Sequence, residues 1–229
     1  MSRHSIHFEA QIRKLKEMML SLGSLAEESV RNSLTALKER DTVLAVRVIN
    51  GDEKIDQMEV ELEEECLKTL ALHQPVANDL RLVISVLKIN NDLERVGDLC
   101  SNICRYLKKT IKIGPTEVPE KLKDMFPKVL NMMNLTIDCA YKDDIETVIQ
   151  VCDLDNEIDK LNKALLEELK LKIKENPEMT DQLLFYFSIS RTLERIADYF
   201  TNICEDIYYK VTGEIVRHNP ENMTLEDED

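Results

Sequence analysis

The chain has no tryptophan, only five glycines and six prolines, and 5% aromatic residues in 229 positions. With so little sharp-turn chemistry, turns must be few and the elements between them long. That argues against sandwiches and barrels, which turn every ~10 residues, and against Rossmann-type folds, which need a Gly-rich phosphate loop. No apolar run approaches the ~20 residues of a membrane span. The start, Met1-Ser2-Arg3-His4-Ser5-Ile6-His7, holds no apolar export segment. Positive charge is also short: 30 Lys and Arg stand against 44 Asp and Glu, a formal net charge of −14. That sign argues against nucleic-acid binding, which rests on phosphate neutralisation, and against moulding an anionic membrane. The six cysteines include no Cys-x-x-Cys pair and no Cys/His zinc spacing. Without an export signal they read as reduced, buried thiols of a cytoplasmic protein.

What is present is helix. Leu15, Met18, Met19, Leu22, Leu25 and Ala26 recur at i, i+3, i+4 spacing. The pattern predicts helices over about 7–38, then 42–72 behind an Asp41 cap, then 76–111 after the break at His73-Gln74-Pro75. Gly114-Pro115-Thr116-Glu117-Val118-Pro119 is the strongest boundary in the chain. Beyond it come helices over about 120–141, with Pro127 kinking it or delaying its start, then 144–174 and 179–211. Helices of ~30 residues are ~45 Å long, and three joined by short turns make an up-down-up bundle. The expectation is an all-α protein of two tandem three-helix bundles, residues 1–113 and 114–214, with an acidic tail at 215–229. Arg105, Lys108, Lys109, Lys112, Lys121, Lys123 and Lys128 give the middle of the chain a local positive excess, read as a solvated loop region, with a dock for an acidic partner as the alternative.

The two halves are copies. Leu93-Glu94-Arg95-Val96-Gly97-Asp98-Leu99-Cys100-Ser101-Asn102-Ile103-Cys104 matches Leu193-Glu194-Arg195-Ile196-Ala197-Asp198-Tyr199-Phe200-Thr201-Asn202-Ile203-Cys204 at seven of twelve positions, 100 residues apart. Asp41/Asp144, Val48/Val151, Asp52/Asp155, Ile55/Ile158 and Asp56/Asp159 match at a spacing of 103. A tandem duplication, one bundle per copy, accounts for both.

On the third helix Glu94, Asp98 and Asn102 share one polar stripe, opposite a seam of Leu93, Val96, Cys100, Ile103 and Leu107. The sixth helix repeats the stripe with Glu194, Asp198 and Asn202. Asp52, Asp56, Glu59 and Glu63 form a ridge on the second helix, and Asp155 and Asp159 begin its counterpart on the fifth. These carboxylates are expected to point outward, away from the core. Acidic neighbours one turn apart repel, so a doubled stripe of them suits a surface that grips a cation, carboxylate oxygens being ligands for hard and borderline ions. The alternative is a solvated acidic face with Arg95 and Arg195 as counter-charges. Glu205 continues the sixth-helix stripe where the first copy has Arg105, which predicts a more acidic second site that holds metal better.

The paired Glu-x-x-x-Asp motifs in their Leu-Glu-Arg-(Ile/Val)-(Gly/Ala)-Asp setting resemble the PhoU family of bacterial phosphate-uptake regulators. The resemblance runs on through Thr201–Tyr209 to Gly213-Glu214-Ile215 and includes the His73-Gln74-Pro75 turn with Asp79-Leu80-Arg81. It implies multinuclear metal clusters, iron first and zinc, nickel or manganese as alternatives, on Glu94, Asp98, Glu194 and Asp198, with Asp52, Asp56, Asp155 and Asp159 beside them. Asn102, Asn202 and Glu205 are further candidates. It also implies a homodimer that represses phosphate-starvation signalling and uptake through contact with the phosphate ABC transporter's ATPase subunit and a phosphate-sensing histidine kinase. Ala197 in place of Gly97, and the bulky Tyr199-Phe200, depart from the family pattern and bear on access to the second site.

A carboxylate-bridged di-iron enzyme would need Glu-x-x-His pairs pointing into a bundle core. None of His4, His7, His73 or His218 follows a Glu by three residues, and no nucleophile–base pair stands out. The reading is therefore no enzyme, with a metal-free helical scaffold as the rival.

Overall fold

The computed structural model describes residues 3–216, with side chains for all of these except 3–6 and Tyr141. Among the described residues there are six helices and no strand: α1 Arg3–Glu39, α2 Thr42–His73, α3 Ala77–Ile113, α4 Glu120–Lys142, α5 Glu146–Glu175 and α6 Thr180–Thr212, with a 3-10 turn at Pro177–Met179. The acidic end Glu226-Asp227-Glu228-Asp229 lies outside them, as does His218. No described helix is long and apolar enough to cross a membrane.

The helix ends follow local chemistry. The Asp41 carboxylate accepts from the backbone N–H of Val43 (2.8 Å) and Leu44 (3.0 Å), capping α2. Its duplicate Asp144 accepts from Glu146 N at 3.1 Å and from the Thr147 hydroxyl at 2.7 Å, which puts the start of α5 two residues later than expected. Gln74 and Asp143 close α2 and α4 in left-handed conformations, and Gly213 closes α6 with φ 83°. Pro127 lies inside α4 and does not delay its start.

Helices α1, α2 and α3 pack on one another, α4, α5 and α6 do the same, and the most extensive pairing of all joins α3 to α6. The predicted α3 seam of Leu93, Val96, Cys100, Ile103 and Leu107 is buried throughout. Cys66, Cys100, Cys104, Cys139 and Cys204 are buried thiols and Cys152 is half-buried. Burial pushes Cys66, Cys100 and Cys104 up to about 12, well away from a reactive thiolate.

Two polar features join the halves. Lys88 on α3 meets the buried Asp206 on α6 at 2.8 Å, and the Ser85 hydroxyl donates to the Asp206 carbonyl at 3.1 Å. At the other end the 114–119 segment is stapled down. Arg40 donates to the carbonyls of Thr116 and Gly114 and to the Tyr186 hydroxyl, which itself donates to Thr116 O at 3.1 Å. Gln182 adds a bond to Gly114 O at 3.3 Å.

Candidate metal centre

The close approach of α2 to α3 depends on Gly97. A Cβ at that position would stand 2.8 Å from Ile55 Cδ1 and 3.2 Å from Asp52 Oδ1. The missing side chain lets Asp52 press against α3 beside Asp98 and Ser101. The second repeat carries a buried Ala197 at the matching position, so the packing can yield there. Gly97→Ala should therefore cost about 1 kcal/mol, the strain of a small overpacking less the gain in helix propensity. A drop much above that in chemical denaturation would mean that the Ile55 end cannot move aside.

On the first face Asp52 is 8% exposed, and its Oδ1 has no hydrogen-bond partner. Burial pushes its carboxyl up; the neighbouring Ser101 hydroxyl opposes this, Asp56 and Asp98 add to it, and Arg105 pulls it down. Glu94 is raised by burial and by Asp98 against Arg95, whose guanidinium lies 3.4 Å from Glu94 and 3.2 Å from Asp98. Glu59 is raised by burial and by Glu63 and Asp56.

The second face is more strained electrostatically. Burial, then Asp198, Asp159 and Glu194, drive Asp155 up to about 7, with no cation relieving it. Asp155 Oδ1 and Glu194 Oε2 are both buried without a hydrogen bond, although Arg191 Nε is 3.5 Å from the latter. Asp198 is raised by burial and by Asp159, with Arg195 and Arg191 opposing. Glu205 is buried; burial first, then Glu205 and Asp155, hold the Cys152 thiol up at about 11. Arg105 eases Asp52 on the first face; on the second, Arg191 and Lys163 ease Glu194, and Arg195 and Arg191 ease Asp198, while Asp155 is left to its acidic neighbours.

One expectation needs correcting. The carboxylates do not all stand outward: Asp56, Glu63 and Asp198 are exposed as expected, but others are not. Asp52 is buried, and the side chains of Glu94 and Glu194 are only 19% and 21% exposed against 43% for Asp98. A helical wheel places the stripe relative to its own helix's seam but cannot show that the next helix leans over it. The acidic groups line the α2–α3 and α5–α6 clefts. The further candidates divide: the Asn102 carbonyl is taken up by Arg105 at 2.9 Å, Asn202 is exposed, and Glu205 is buried.

Among the described residues no three His, Cys, Asp or Glu side chains already stand close enough together to hold an ion. The carboxylates face one another, repel and leave buried oxygens unbonded. An all-oxygen donor set with orphaned acceptors fits a hard or borderline cation and does not suit a soft one. Ser101, buried beside the Asp52 carboxylate, belongs to this cleft and is missed by a search for acids alone. Its repetition as Thr201, three residues after the motif Asp, is the signal that could have found it. The clefts also share a buried polar pair in duplicate: Asn90 donates to Glu59 O at 2.9 Å, and Ser190 donates to Asn162 at 2.7 Å.

A family model described as the PhoU domain matches this chain twice, over residues 19–107 and 122–207. The phosphate-specific transport system accessory protein PhoU of Serratia marcescens is 32% identical over 211 residues, 92% of this chain and 87% of that protein. The corresponding homolog of Pseudomonas putida is 36% identical over 217 residues, 93% of this chain and 84% of that protein. The crystal structure of PhoU from Pseudomonas aeruginosa matches with a TM-score of 0.86 at 33% identity, covering 90% of this chain and 100% of that one. The phosphate transport system regulatory protein PhoU from Streptococcus pneumoniae matches with a TM-score of 0.83 at 32% identity, over 91% and 99% of the two chains.

Proposed function

The chain belongs to the PhoU family, and on that premise we propose that it restrains phosphate uptake and phosphate-starvation signalling as a metal-binding adaptor, not as an enzyme. The relatives are named as accessory and regulatory proteins of phosphate transport, which places this chain's role in the regulation of that transport. Its partners in this reading are the ATPase subunit of the phosphate ABC transporter and a phosphate-sensing histidine kinase, met in the cytoplasm by a homodimer. The adaptor binds one conformational state of the transporter better than another, and only that difference in affinity can bias transport and signalling together.

The observation that carries the metal assignment is the pair of repeated clefts with buried, unbonded oxygens at Asp52, Asp155 and Glu194. Glu94, Asp98, Asp52 and Asp56 would hold the first group, and Glu194, Asp198, Asp155 and Asp159 the second. A bound cation, iron first, supplies charge neutralisation. With a cation held there, the carboxylates would tie α2 to α3 and α5 to α6 and so stiffen the surfaces offered to a partner. The absence of a ready-made ligand trio favours the rival reading, a metal-free acidic scaffold for a basic partner.

The partner assignment is tested by capture. The tagged full-length chain should retain the transporter ATPase subunit to an extent that changes severalfold with phosphate or nucleotide. Retention indifferent to both would remove the basis for regulation.

A further inference from the structure

The repeats differ in one groove, and we propose that the first repeat uses it to bind a small organic oxyanion, a carboxylate or phosphate monoester carried on an apolar body. The groove lies between α1 and α2, is open to solvent on one side and measures about 370 Å³, a volume within the usual range for small-molecule sites. It is lined by the half-buried Ser29 and Asn32 and by the exposed Gly51, Arg47 and Lys54.

The second repeat shows what the same backbone looks like when this groove is filled. The spacing of 103 that relates α2 to α5 also relates α1 to α4, as the buried pairs Val30/Met133 and Ser33/Thr136 show. In that register Ser29, Asn32 and Gly51 correspond to Met132, Leu135 and Leu154, and Cys100 corresponds to Phe200 at a spacing of 100. Met132 and Phe200 are buried, and Leu135 and Leu154 pack against the core. Three large apolar side chains are thus replaced along the groove by small or polar ones, with a fourth replaced in the core at Cys100, and the groove opens where that volume is lost. No contact demands glycine at position 51, since a Cβ there would meet nothing within 4 Å. It sits inside a long helix, where glycine is unfavourable.

The charges diverge in the same place. In the second repeat Glu157 is paired with Lys128, closing the groove's rim, and the matching residues of the first are Lys54 and Leu25. Arg47, two turns before Lys54 on the same face, corresponds to an uncharged Gln150. Among the described residues neither Arg47 nor Lys54 takes part in an ion pair. Two free cations beside the apolar walls of Leu44 and Val48 suit an anionic head and an apolar body. Ser29 and Asn32 offer hydrogen bonds, and Glu28 accepts from a hydroxyl or ammonium on the ligand. The volume is too large for a bare inorganic anion to fill. The proposal does not depend on metal or on phosphate regulation.

Calorimetric titration of the full-length protein in EDTA tests it, the chelator keeping any metal in the acidic clefts from capturing the head group. Phenyl phosphate or phenylacetate should bind at least tenfold more tightly than inorganic phosphate and benzyl alcohol, which each lack one half of the recognised chemistry. Ser29→Met with Gly51→Leu, which imports the second repeat's residues, should abolish that binding while helicity is kept. The surface change Arg47→Gln should weaken it by about tenfold, the scale of one lost charge-assisted contact. Equal binding by the filled variant would overturn the proposal. So would aromatic anions that bind no better than inorganic phosphate, or no binding by either aromatic anion at millimolar concentration.

Discussion

Asp155→Asn should make the metal-free protein more stable at pH 8, by about 1–2 kcal/mol, and at the same time abolish the metal response of the second cleft. The sign follows from the proton. Asp155 has a pKa near 7 in the folded chain against 3.8 for a free aspartate, because it is buried and faces Asp198, Asp159 and Glu194. Below the lower value both states are protonated. Between the two, the folded state keeps a proton that the unfolded chain has released, so stability falls as pH rises through this window. The loss is complete above about 7. For an isolated site that gap would amount to about 4 kcal/mol, and solvent screening in the partly exposed cleft reduces it to roughly half. Thermal melts in EDTA should therefore show the parent losing stability from pH 5 to pH 8, with a flatter profile for the variant. A variant less stable than the parent at pH 8 would mean that Asp155 has a favourable partner. Metal must displace the same proton, so its affinity for the second cleft should rise by up to ~tenfold per pH unit below 7 and level off above it.

Lys88→Met should cost about 2–3 kcal/mol, because it removes the cation from a buried carboxylate at the junction of α3 with α6. Lys88 Nζ lies 2.8 Å from Asp206, whose residue is 4% exposed, and 5.3 Å from the centre of the Tyr209 ring. Adding Asp206→Leu should recover about half of the loss, since replacing a buried pair by apolar groups relieves desolvation that breaking one partner exposes. Urea unfolding of the single and double variants measures both quantities. A single variant within 0.5 kcal/mol of the parent would show that the α3–α6 junction rests on apolar packing alone.

The parts of this molecule that were legible in its sequence are those written locally. Helix bounds follow a 3.6-residue period and caps such as Asp41, so they emerge to within a few residues. The duplication appears because copied motifs keep their order and spacing. Glu94 and Asp98, with Glu194 and Asp198, fall on common stripes for the same reason. Depth is another matter. Asp52 is buried because Gly97 on a different helix lets α2 close over it, and no wheel drawn for one helix contains that. The Arg40–Tyr186 and Lys88–Asp206 contacts join residues 146 and 118 positions apart. Only the packing of one repeat on the other brings these together. The open groove of the first repeat lies between these extremes. Ser29, Asn32 and Gly51 are plain in the sequence, but they acquire meaning only when the second repeat's Met132, Leu135 and Leu154 are seen filling the same space.

Metal content of the full-length chain bears most directly on the acidic clefts. Protein prepared without chelator and exposed to ferrous iron should carry bound metal by elemental analysis, more of it in the second cleft than in the first. The Asp98→Ala/Asp198→Ala variant should come out empty with its helical circular dichroism unchanged. A parent protein that emerges empty from the same treatment, or a double variant that keeps the parent's metal, would contradict the account.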